Sequence, residues 1–554
     1  MAKKNPPQTN DSKVIEKSVR LSESKLWALQ RNYFTTMGIN AWEKDVPYYI
    51  TNNAFIGHQY ATLVAQLLKD LANQGKSKQK IYILELGCGT GKFGFYFLKS
   101  LSTLMAHQDS SFPFCYIMSD VSEKNIEFCQ NNPSLKPYID AGTMDFALFD
   151  VETDKEINLR ISGEKYSPSS GTPLIIISNY IFDCIKHDFL SFQNNEFHAL
   201  NIGMKSRYKT FDQIEVKYLN DLRFDYSTQP INLSEYYTDS KLIHILNEYK
   251  AQFIDKQALF PIPLAGINFI NNMIELTSGN VFFLIGDKGI SVLEHFTMLT
   301  DHYRMTYEGC YTFLLNFHLL GEYIKKLNGD TLLTQKANEF QVCLYSVGNY
   351  FKDLPNTTLA FQERIEGVGP HEFASLFDSA VQNGYRYSAK AISAFLRLSH
   401  WDPDAYAIVH DRLCEIVDSF TVLERLNFKL DIEKIENNIY WMEIDFDIND
   451  LLGLLYQKMG DEEKALKFYE RSMQIFSTSG SGYLNTALLY DKRKDKEKAL
   501  LYYRKAYDIN KRDLYAKRRM EILEGKTVAT LIGPVFRLSI VIVVILLIIL
   551  LLTK

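Results

Sequence analysis

Residues 81–94 have the sequence IYILELGCGTGKFG, and this stretch decides the fold of the N-terminal half. The first six residues are apolar except Glu85, as in a strand buried inside a parallel sheet. Four glycines follow, and residues 93–105 (FGFYFLKSLSTLM) carry apolar side chains as a buried helix does. Glycines suit a tight turn that lets a ligand approach backbone N–H groups at a helix N-terminus. The stretch therefore predicts a strand, a ligand-binding turn and a helix.

Strands and helices alternate on either side of this stretch. Further strands are predicted at 114–119 (FCYIMS), 173–178 (PLIIIS), 281–289 (VFFLIGDKG) and 311–317 (YTFLLNF), and helices at 61–71 and 122–130. Such alternation predicts an α/β fold with a doubly wound, Rossmann-like parallel sheet. We expect this domain to cover residues 23–360, with a helical N-terminal extension and an inserted segment at about 205–280.

The composition of the 554 residues indicates a globular, multidomain chain. It is 46% hydrophobic and 23% charged, with a net charge of -5, and this balance argues against a nucleic-acid partner. The seven cysteines are scattered without a CxxC pair, and the histidines lack an HExxH pattern, so no disulfide framework and no metal site is predicted. Residues 1–22 are polar and predict a disordered leader.

The last third of the chain contains a repeat of 34 residues within a predicted helical domain, 361–525. Small and aromatic residues recur at matched positions in the units 446–479 and 480–513. The matched pairs are Gly453 and Ala487, Tyr456 and Tyr490, Ala465 and Ala499, and Tyr469 and Tyr503. Small residues let two antiparallel helices approach, and aromatic residues fill the groove between them. The pattern resembles the tetratricopeptide repeat, which implies that the helices bind a protein substrate or partner.

The C-terminal residues 528–552 (VATLIGPVFRLSIVIVVILLIILLL) are almost entirely apolar. As a helix, 25 residues would extend roughly 37 Å, enough to cross a hydrocarbon core, with Arg537 reaching the interface. Basic residues precede the segment: Lys511, Arg512, Lys517, Arg518, Arg519 and Lys526. The sequence thus predicts one C-terminal transmembrane helix in a lipid bilayer, and hence a membrane localisation with the bulk of the chain on the cytoplasmic side.

The glycine turn by itself leaves two classes of cofactor open. Gly89 to Gly94 matches GxGxxG, the fingerprint of dinucleotide-binding folds. Glu85 stands two residues before Gly87, and an acidic group there suits a cofactor with a cationic moiety. Asp120, at the end of the next strand, is placed to accept hydrogen bonds from ribose hydroxyls, which both classes of cofactor possess.

Three elements of the chain resemble the class I S-adenosylmethionine (SAM)-dependent methyltransferases of the MidA-like type. The segment Glu85-Leu-Gly87-Cys-Gly89-Thr-Gly91 is similar to their motif I, E/D-x-G-x-G-x-G. Asp120-Val-Ser122 resembles the acid-x-Ser after their second strand, and Asn179 to Asp183 resembles their N-x-x-F-D element. Lys186 departs from the family, which usually has a proline at this point.

The resemblance implies SAM as the cofactor and a set of binding residues. The implied cofactor-binding residues are Glu85, Gly87, Gly89, Gly91, Asp120, Asp145 and Phe146. The last two would hold the adenine by hydrogen bonding and apolar contact. Mitochondrial members of the family act on protein arginine during respiratory complex I assembly, so arginine or another protein nitrogen is the implied methyl acceptor.

Two residues after the strand at 173–178 are candidates for catalysis. Asn179 at the strand end could orient a nucleophilic nitrogen, and Asp183 could accept from a guanidinium or simply cap a helix. The segment Asn52-Asn53-Ala-Phe55-Ile-Gly-His58-Gln-Tyr60 precedes the glycine turn, where related enzymes cover the cofactor. It could contact SAM or substrate, or serve only in capping and packing.

Together these features predict a membrane-tethered, SAM-dependent methyltransferase that acts on a protein and binds partners through its repeats. The first alternative is a non-catalytic, tail-anchored tetratricopeptide-repeat scaffold whose SAM fold is structural or sensing. A nucleotide-dependent oxidoreductase is the second alternative, and methylation of a small molecule also stays open, because no residue in the sequence defines the acceptor pocket.

Overall fold

A computed structural model describes residues 13–42, 49–76, 79–106, 113–168, 171–206, 222–299, 305–307, 310–335, 340–443 and 446–526. The strands in the first half are β1 (Lys13–Arg20), β2 (Ile81–Leu86), β3 (Phe114–Asp120), β4 (Met144–Leu148), β5 (Leu174–Asn179), β6 (Asp188–Gln193), β7 (Glu196–Ser206) and β8 (Arg223–Pro230). The later strands are β9 (Ala258–Ile262), β10 (Val281–Asp287), β11 (Gly289–Ile290), β12 (Met305–Tyr307), β13 (Cys310–Thr312), β14 (Leu315–Asn316), β15 (Asp330–Leu332) and β16 (Gln341–Val347).

The α-helices share the chain with these strands up to residue 326 and then predominate. The first nine are α1 (Leu26–Met37), α2 (Ala54–Asn73), α3 (Lys92–Ala106), α4 (Glu123–Gln130), α5 (Lys136–Asp140), α6 (Leu233–Tyr236), α7 (Ser240–Gln252), α8 (Leu264–Leu276) and α9 (Phe317–Lys326). The others are α10 (Pro355–Phe361), α11 (Pro370–Asn383), α12 (Ala389–Leu398), α13 (Pro403–Ile416), α14 (Val422–Asn437), α15 (Ile448–Lys458), α16 (Glu462–Ile475), α17 (Ser481–Lys492), α18 (Lys496–Ile509) and α19 (Leu514–Leu523). Two compact units result, one of residues 1–382 with 396–402, the other of residues 383–395 with 403–554.

A seven-stranded sheet forms the centre of the first unit, in the order β15-β16-β10-β5-β2-β3-β4. The five strands from β10 to β4 are parallel, while β16 runs antiparallel to both β10 and β15. The chain order of the parallel strands reverses between β2 and β5, as in doubly wound folds, where ligands bind beyond the carboxyl ends of the strands. The glycine turn at 87–91 lies at that edge, directly after β2.

Helices cover both faces of the sheet. On one face the ring of Tyr116 in β3 stacks on Phe97 of α3, with ring centroids 5.1 Å apart. Tyr116 is level with Phe282 across the ladder, so the next residue in β10, Phe283, points to the opposite face and meets Phe269 of α8. Because both faces are covered, the strands are continuous apolar runs such as IYILEL rather than alternating ones.

Four strands of a second sheet, β6 to β9, are inserted between β5 and β10 of the first, and β1 joins them from the N-terminal part of the chain. This second sheet is antiparallel, in the order β1-β7-β6-β9, with β8 also paired to β7. β6 and β7 form a hairpin whose two turn residues, Asn194 and Asn195, have φ of 52° and 63°, as a two-residue type I′ turn requires. The strands of this insertion begin at Asp188, whereas the inserted segment was expected at about 205–280.

The strand β1 lies within residues 1–22, where we expected a disordered leader. It pairs antiparallel with β7. At its end the Arg20 guanidinium binds Asp188, whose carboxylate is 1% exposed, with Nε 2.9 Å from Oδ2. The same guanidinium lies over the Tyr236 ring, 4.0 Å from its centroid, and Nη1 donates to the Tyr236 carbonyl oxygen. This long-range ion pair orders a segment whose own composition is polar.

Paired helices make up the second unit. The stacked rings Tyr456 and Phe468 of α15 and α16 have centroids 5.6 Å apart, and Tyr490 and Tyr502 of α17 and α18 repeat this contact at 5.8 Å. A Cβ on Gly453 would collide with the Tyr469 ring, so the small residue is needed for the close approach of α15 and α16. The preceding α13 packs on α15 through the Tyr406 hydroxyl, which donates to the Leu451 carbonyl oxygen.

The predicted C-terminal transmembrane helix, and the membrane localisation that followed from it, are corrected. Within the residues that the structure describes, no helix is both long enough and apolar enough to cross a membrane. The longest, α2 with 20 residues, carries Lys69 and Asp70 and packs against α3. The segment 528–552, on which the prediction was based, lies outside the described residues. An α/β unit and a helical region are the fold that is observed.

The Arg20 contact gives a first prediction about stability. Arg20→Ala leaves the buried Asp188 carboxylate without its cation, and we expect the free energy of unfolding to fall by about 2–3 kcal/mol. Lys205→Ala, which removes the exposed partner of Asp225 on the same sheet, is the control and should cost less than about 0.5 kcal/mol. Urea unfolding measures both. Equal effects of the two substitutions would show that the Arg20 pair does not anchor β1.

Candidate cofactor and acceptor site

The glycine turn adopts a backbone conformation that residues with side chains rarely reach. Gly87, Gly89 and Gly91 have φ of 64°, 54° and 75°. The Cys88 N–H donates to the Ser119 carbonyl oxygen at 2.8 Å, and the Gly91 N–H donates to the Cys88 carbonyl oxygen at 2.8 Å. The turn is therefore closed on itself and tied to the end of β3, as the three predicted glycines require.

Asp120, the last residue of β3, lies against the glycine turn, and its predicted contact with ribose hydroxyls stays a prediction. Its Oδ2 accepts from the Gly89 N–H at 2.9 Å, and its Oδ1 accepts from the Ser122 N–H at 2.8 Å. Burial raises the pKa of Asp120, while these N–H donors and the Asn125 amide act in the opposite direction. The Val121 N–H contributes as well, so these four donors match the roughly four acceptor positions of a carboxylate, and a ligand hydroxyl would have to share or replace one of them.

Two buried polar atoms beside Asp120 have no hydrogen-bond partner among the described residues. They are Ser122 Oγ and Asn125 Oδ1, in residues that are 0% and 4% exposed. Buried polar atoms are normally paired, so these two indicate where a ligand supplies hydrogen bonds. Ser122 belongs to the acid-x-Ser element that carries the resemblance, although it was not among the predicted cofactor-binding residues. Asn125 was missed, because nothing in the sequence shows that the first turn of α4 points back to the end of β3.

Glu85 is buried on the α3 side of the sheet. Its Oε2 accepts from the Tyr116 hydroxyl at 2.9 Å, and a Cβ on Gly94 would lie 2.8 Å from the same oxygen. Burial raises the pKa of Glu85 from 4.5 to about 8, with a smaller contribution in the same direction from Asp120. The predicted contact with a cationic cofactor group stays a prediction, since the carboxyl group lies under the first turn of α3.

Asp145 and Phe146 are not brought to the carboxyl edge. Asp145 pairs with Ile117 inside the sheet, whereas Leu148, three residues later, is the partner of Asp120. Three residues of strand correspond to roughly 10 Å. The Asp145 carboxylate accepts from the N–H groups of residues 161 and 162 at 2.7 and 3.1 Å, which makes it a buried anchor for that loop. Leu148, 52% exposed, is the apolar side chain at the edge.

Asn179 ends β5 next to the glycine turn and is held by α2. The Tyr60 hydroxyl donates to its Oδ1 at 2.9 Å. Gly286 in the neighbouring strand makes room for this pair, because a Cβ there would lie 2.5 Å from Asn179 Oδ1. Tyr60 is fully buried, and burial keeps its pKa well above 10. The tyrosine therefore remains a donor and orients the Asn179 amide.

Asp183 lies deeper, in a buried pair of carboxyl groups. The Asp183 N–H donates to Asp287 Oδ2 at 3.0 Å. The Cys184 thiol donates to Asp183 Oδ1, with Sγ 2.8 Å from this oxygen. Burial raises the pKa of Asp183 to about 6, and burial together with the charge of Asp183 raises that of Asp287 still further. Asp287, at the end of β10, was not among the candidate residues of the sequence analysis.

The segment 52–60 contributes two residues to the site and directs others away from it. Asn52 Oδ1 accepts from the Phe93 N–H in the first turn of α3 at 3.1 Å, and Tyr60 holds Asn179. Asn53 caps α2 by accepting from the Ile56 N–H. His58 stacks on His400, with ring centroids 3.9 Å apart, and burial lowers its pKa to about 4. The capping role of the segment is confirmed for Asn53, whereas its contact with SAM or substrate stays a prediction.

Comparisons with known proteins identify the repeat and leave the first unit open. The tetratricopeptide repeat family model matches residues 446–512. A search of curated protein sequences gave no match. A Burkholderia thailandensis COG1565 superfamily member bound to S-adenosyl-homocysteine, described as a candidate methyl transferase, is similar at 12% identity and a TM-score of 0.34, covering 58% of this chain and 93% of its own.

A second structure, of an uncharacterized COG1565 superfamily protein from the same organism, gives 13% identity and a TM-score of 0.30, covering 56% and 79%. Similarity at this level carries no weight for function. The function is therefore argued below from the residues of this chain, whereas the repeat match supports protein binding by the C-terminal helices.

The raised pKa of Glu85 predicts a dependence of stability on pH. The folded state disfavours the carboxylate, so stability is fully present below pH 4.5 and is lost as pH rises towards about 8. Glu85→Gln keeps an acceptor for Tyr116 without the charge. We expect it to be more stable than the parent by at least about 1 kcal/mol at pH 8.5, and to lose this advantage at pH 4.5.

Thermal unfolding between pH 4.5 and 8.5 measures the difference, with exposed Glu497→Gln controlling for net charge. A difference between Glu85→Gln and the parent that does not change with pH would contradict the raised pKa.

Proposed function

We propose that the first unit is a SAM-dependent methyltransferase that methylates a nitrogen of a protein substrate, and that the repeats bind the substrate or a partner. The observation that carries the proposal is the Asp120 carboxylate, hydrogen-bonded to the glycine turn at the carboxyl edge of a parallel sheet. Buried acceptor atoms without partners lie beside it. These are the features of a nucleoside site.

Each part of an adenosine finds a matching group at this edge. Asp120 accepts hydrogen bonds from the ribose hydroxyls. These hydroxyls are neutral donors, and a hydrogen bond to an ionised carboxylate is stronger than one between two neutral groups. The unpaired Oδ1 of Asn125 accepts one further hydrogen bond from the nucleoside. Leu148, exposed and adjacent to Asp120 in the ladder, offers apolar surface to the adenine ring in the place that the resemblance assigned to Phe146.

The hydrogen bonds of the turn favour SAM over a dinucleotide. A pyrophosphate needs free N–H groups at the turn and at the helix N-terminus. Three such donors, Gly89, Gly91 and Phe93, already have acceptors, which are Asp120, Cys88 and Asn52. SAM carries no phosphate and has a cationic methionine part, so its binding leaves these hydrogen bonds intact.

The residues beyond β5 suit nitrogen methylation. Bound SAM supplies a methyl group on a sulfonium, and displacement transfers it to the acceptor while the sulfur keeps the electron pair. Asn179, oriented by Tyr60, has a second lone pair on Oδ1 for an acceptor N–H, which aligns the nitrogen. Asp183, four residues after Asn179, is the candidate acceptor for the proton that the nitrogen releases, and burial raises its pKa to about 6.

An aromatic wall beside Asn179 suits a cationic acceptor such as arginine. Tyr180 has φ of 54°, a conformation that is costly for a side-chain-bearing residue and that is common at functional sites. Its ring meets Phe340 edge-on at 5.1 Å, and Lys288 Nζ lies 5.4 Å from its centroid. The ring face thus already attracts a cation in this structure.

Burial of the glycine turn favours the alternative, a non-catalytic scaffold whose SAM fold is structural or sensing. Residues 88–93 are buried, and the Ile181 side chain occupies the position of a Cβ on Gly87. A ligand therefore has to displace this side chain. Whether methyl transfer follows binding distinguishes an enzyme from a scaffold or sensor.

Cofactor binding is tested first. Asp120→Asn removes the charge that accepts from ribose, and we expect the affinity for S-adenosyl-L-homocysteine to fall by at least tenfold in isothermal titration calorimetry. Asp145→Asn is the matched control, a buried aspartate one strand away, and should change the affinity less than threefold. The reverse order would favour the sequence-based assignment of Asp145. No binding to the parent chain would refute the proposal.

Catalysis is tested by transfer of a labelled methyl group from SAM to arginine-containing peptides and to proteins of a lysate. Asn179→Ala should lower the rate about 100-fold, because it removes the oxygen that aligns the nitrogen. Tyr60→Phe should lower the rate about tenfold, because the Asn179 amide is then no longer held in one orientation. Affinity for S-adenosyl-L-homocysteine should stay within about threefold in both. Binding without transfer by the parent chain would favour the scaffold.

A further inference from the structure

A strained turn far along the chain belongs to the first unit. Residues 396–402 cluster with the α/β fold rather than with the repeats. Within them His400 and Trp401 both have positive φ, 54° and 56°, a conformation that costs of order 1–3 kcal/mol for each such residue. The turn delivers Asp402, which is 0% exposed. A strained backbone of this kind persists only where contacts with the surrounding structure stabilise it. Here the strained turn positions the Asp402 carboxylate.

The Asp402 carboxylate binds the N-terminus of α2. Its Oδ2 accepts from the Ala54 N–H, the first of the helix, at 2.7 Å. Its Oδ1 accepts from the Tyr49 hydroxyl at 3.2 Å. A negative charge at this end also interacts favourably with the helix dipole. The preceding His400 stacks on His58, one turn into α2, so the turn holds the helix at two points.

The same end of α2 carries the two residues that reach the proposed site. Asn52, just before the helix, accepts from the Phe93 N–H of α3, and Tyr60 donates to Asn179. Gly57 lets α3 approach closely, since a Cβ there would lie 2.5 Å from Tyr96 Cβ. A shift of α2 by a fraction of an ångström would therefore change the contact at the glycine turn and the orientation of Asn179 together.

We propose that Asp402 is a positioning residue for this site: through the N-terminus of α2 it sets the placement of Asn52 at the cofactor and of Tyr60 at the acceptor. This inference rests on the proposed function. It joins residues almost 350 positions apart, beyond the reach of any motif. A residue of the first unit that is far along the chain thereby contributes to the proposed reaction without touching cofactor or substrate.

Two substitutions separate positioning from simple helix capping. Asp402→Asn retains the size of the side chain and one acceptor for Ala54, and Asn is a good N-cap for α13, which begins at the next residue. Asp402→Ala removes both acceptors. We expect affinity for S-adenosyl-L-homocysteine to fall about fivefold in the first and at least 20-fold in the second. Asp239→Asn, which alters the cap of α7 in the insertion, is the control and should leave affinity within twofold.

A double-mutant cycle gives the readout that a purely structural role would not affect. If Asp402 acts through Asn52, Asp402→Asn should weaken binding less than twofold in a chain that already carries Asn52→Ala. Hydrogen exchange should also speed up in the first turn of α2 and not in its last. Equal losses with and without Asn52, or unchanged affinity in both Asp402 variants while the parent binds, would overturn the positioning role alone. Failure of the parent to bind would overturn the proposed function as well.

Discussion

The hydrogen bond from the Gly89 N–H to the Asp120 carboxylate joins the turn after β2 to the end of β3. It is buried, and it needs a glycine in the left-handed region at one end and a carboxylate at the other. Parallel strands make it possible, because their carboxyl ends meet at one edge. Around it lie the atoms that lack partners, so the groups available to a ligand depend on the geometry of this one contact.

Three sets of contacts in the first unit hold the carboxyl edge of the sheet in place. Below the edge, the first turn of α3 packs over Glu85. The Glu85 carboxyl group accepts from the Tyr116 hydroxyl, and burial raises its pKa, which disfavours its ionisation. From the side, α2 reaches both α3 and Asn179. From far along the chain, Asp402 holds α2. Each of these contacts satisfies a buried donor, which would otherwise cost about 1–3 kcal/mol.

Predictions from the sequence succeeded for structural features that a run of consecutive residues defines. The glycine turn, Asp120 and Asn179 follow buried strands, so the strand ends that carry them could be found. The position of Asp145 could not be found in this way, because β4 continues to Leu148 and carries Asp145 into the sheet. Period and apolarity indicate that a strand exists but not at which residue it ends, since the end is set by the neighbouring ladder.

The sequence by itself determined the parallel α/β unit, the three glycines with positive φ and the 34-residue helical repeat, because local periodicity and backbone sterics dictate all three. Only the tertiary structure decided that β1 is ordered, that Glu85 turns under α3, that Asn125 Oδ1 has no hydrogen-bond partner among the described residues and that Asp402 caps α2. These depend on contacts between distant residues, whose hydrogen bonds and burial exist only once the chain has folded, and no spacing along the sequence encodes them.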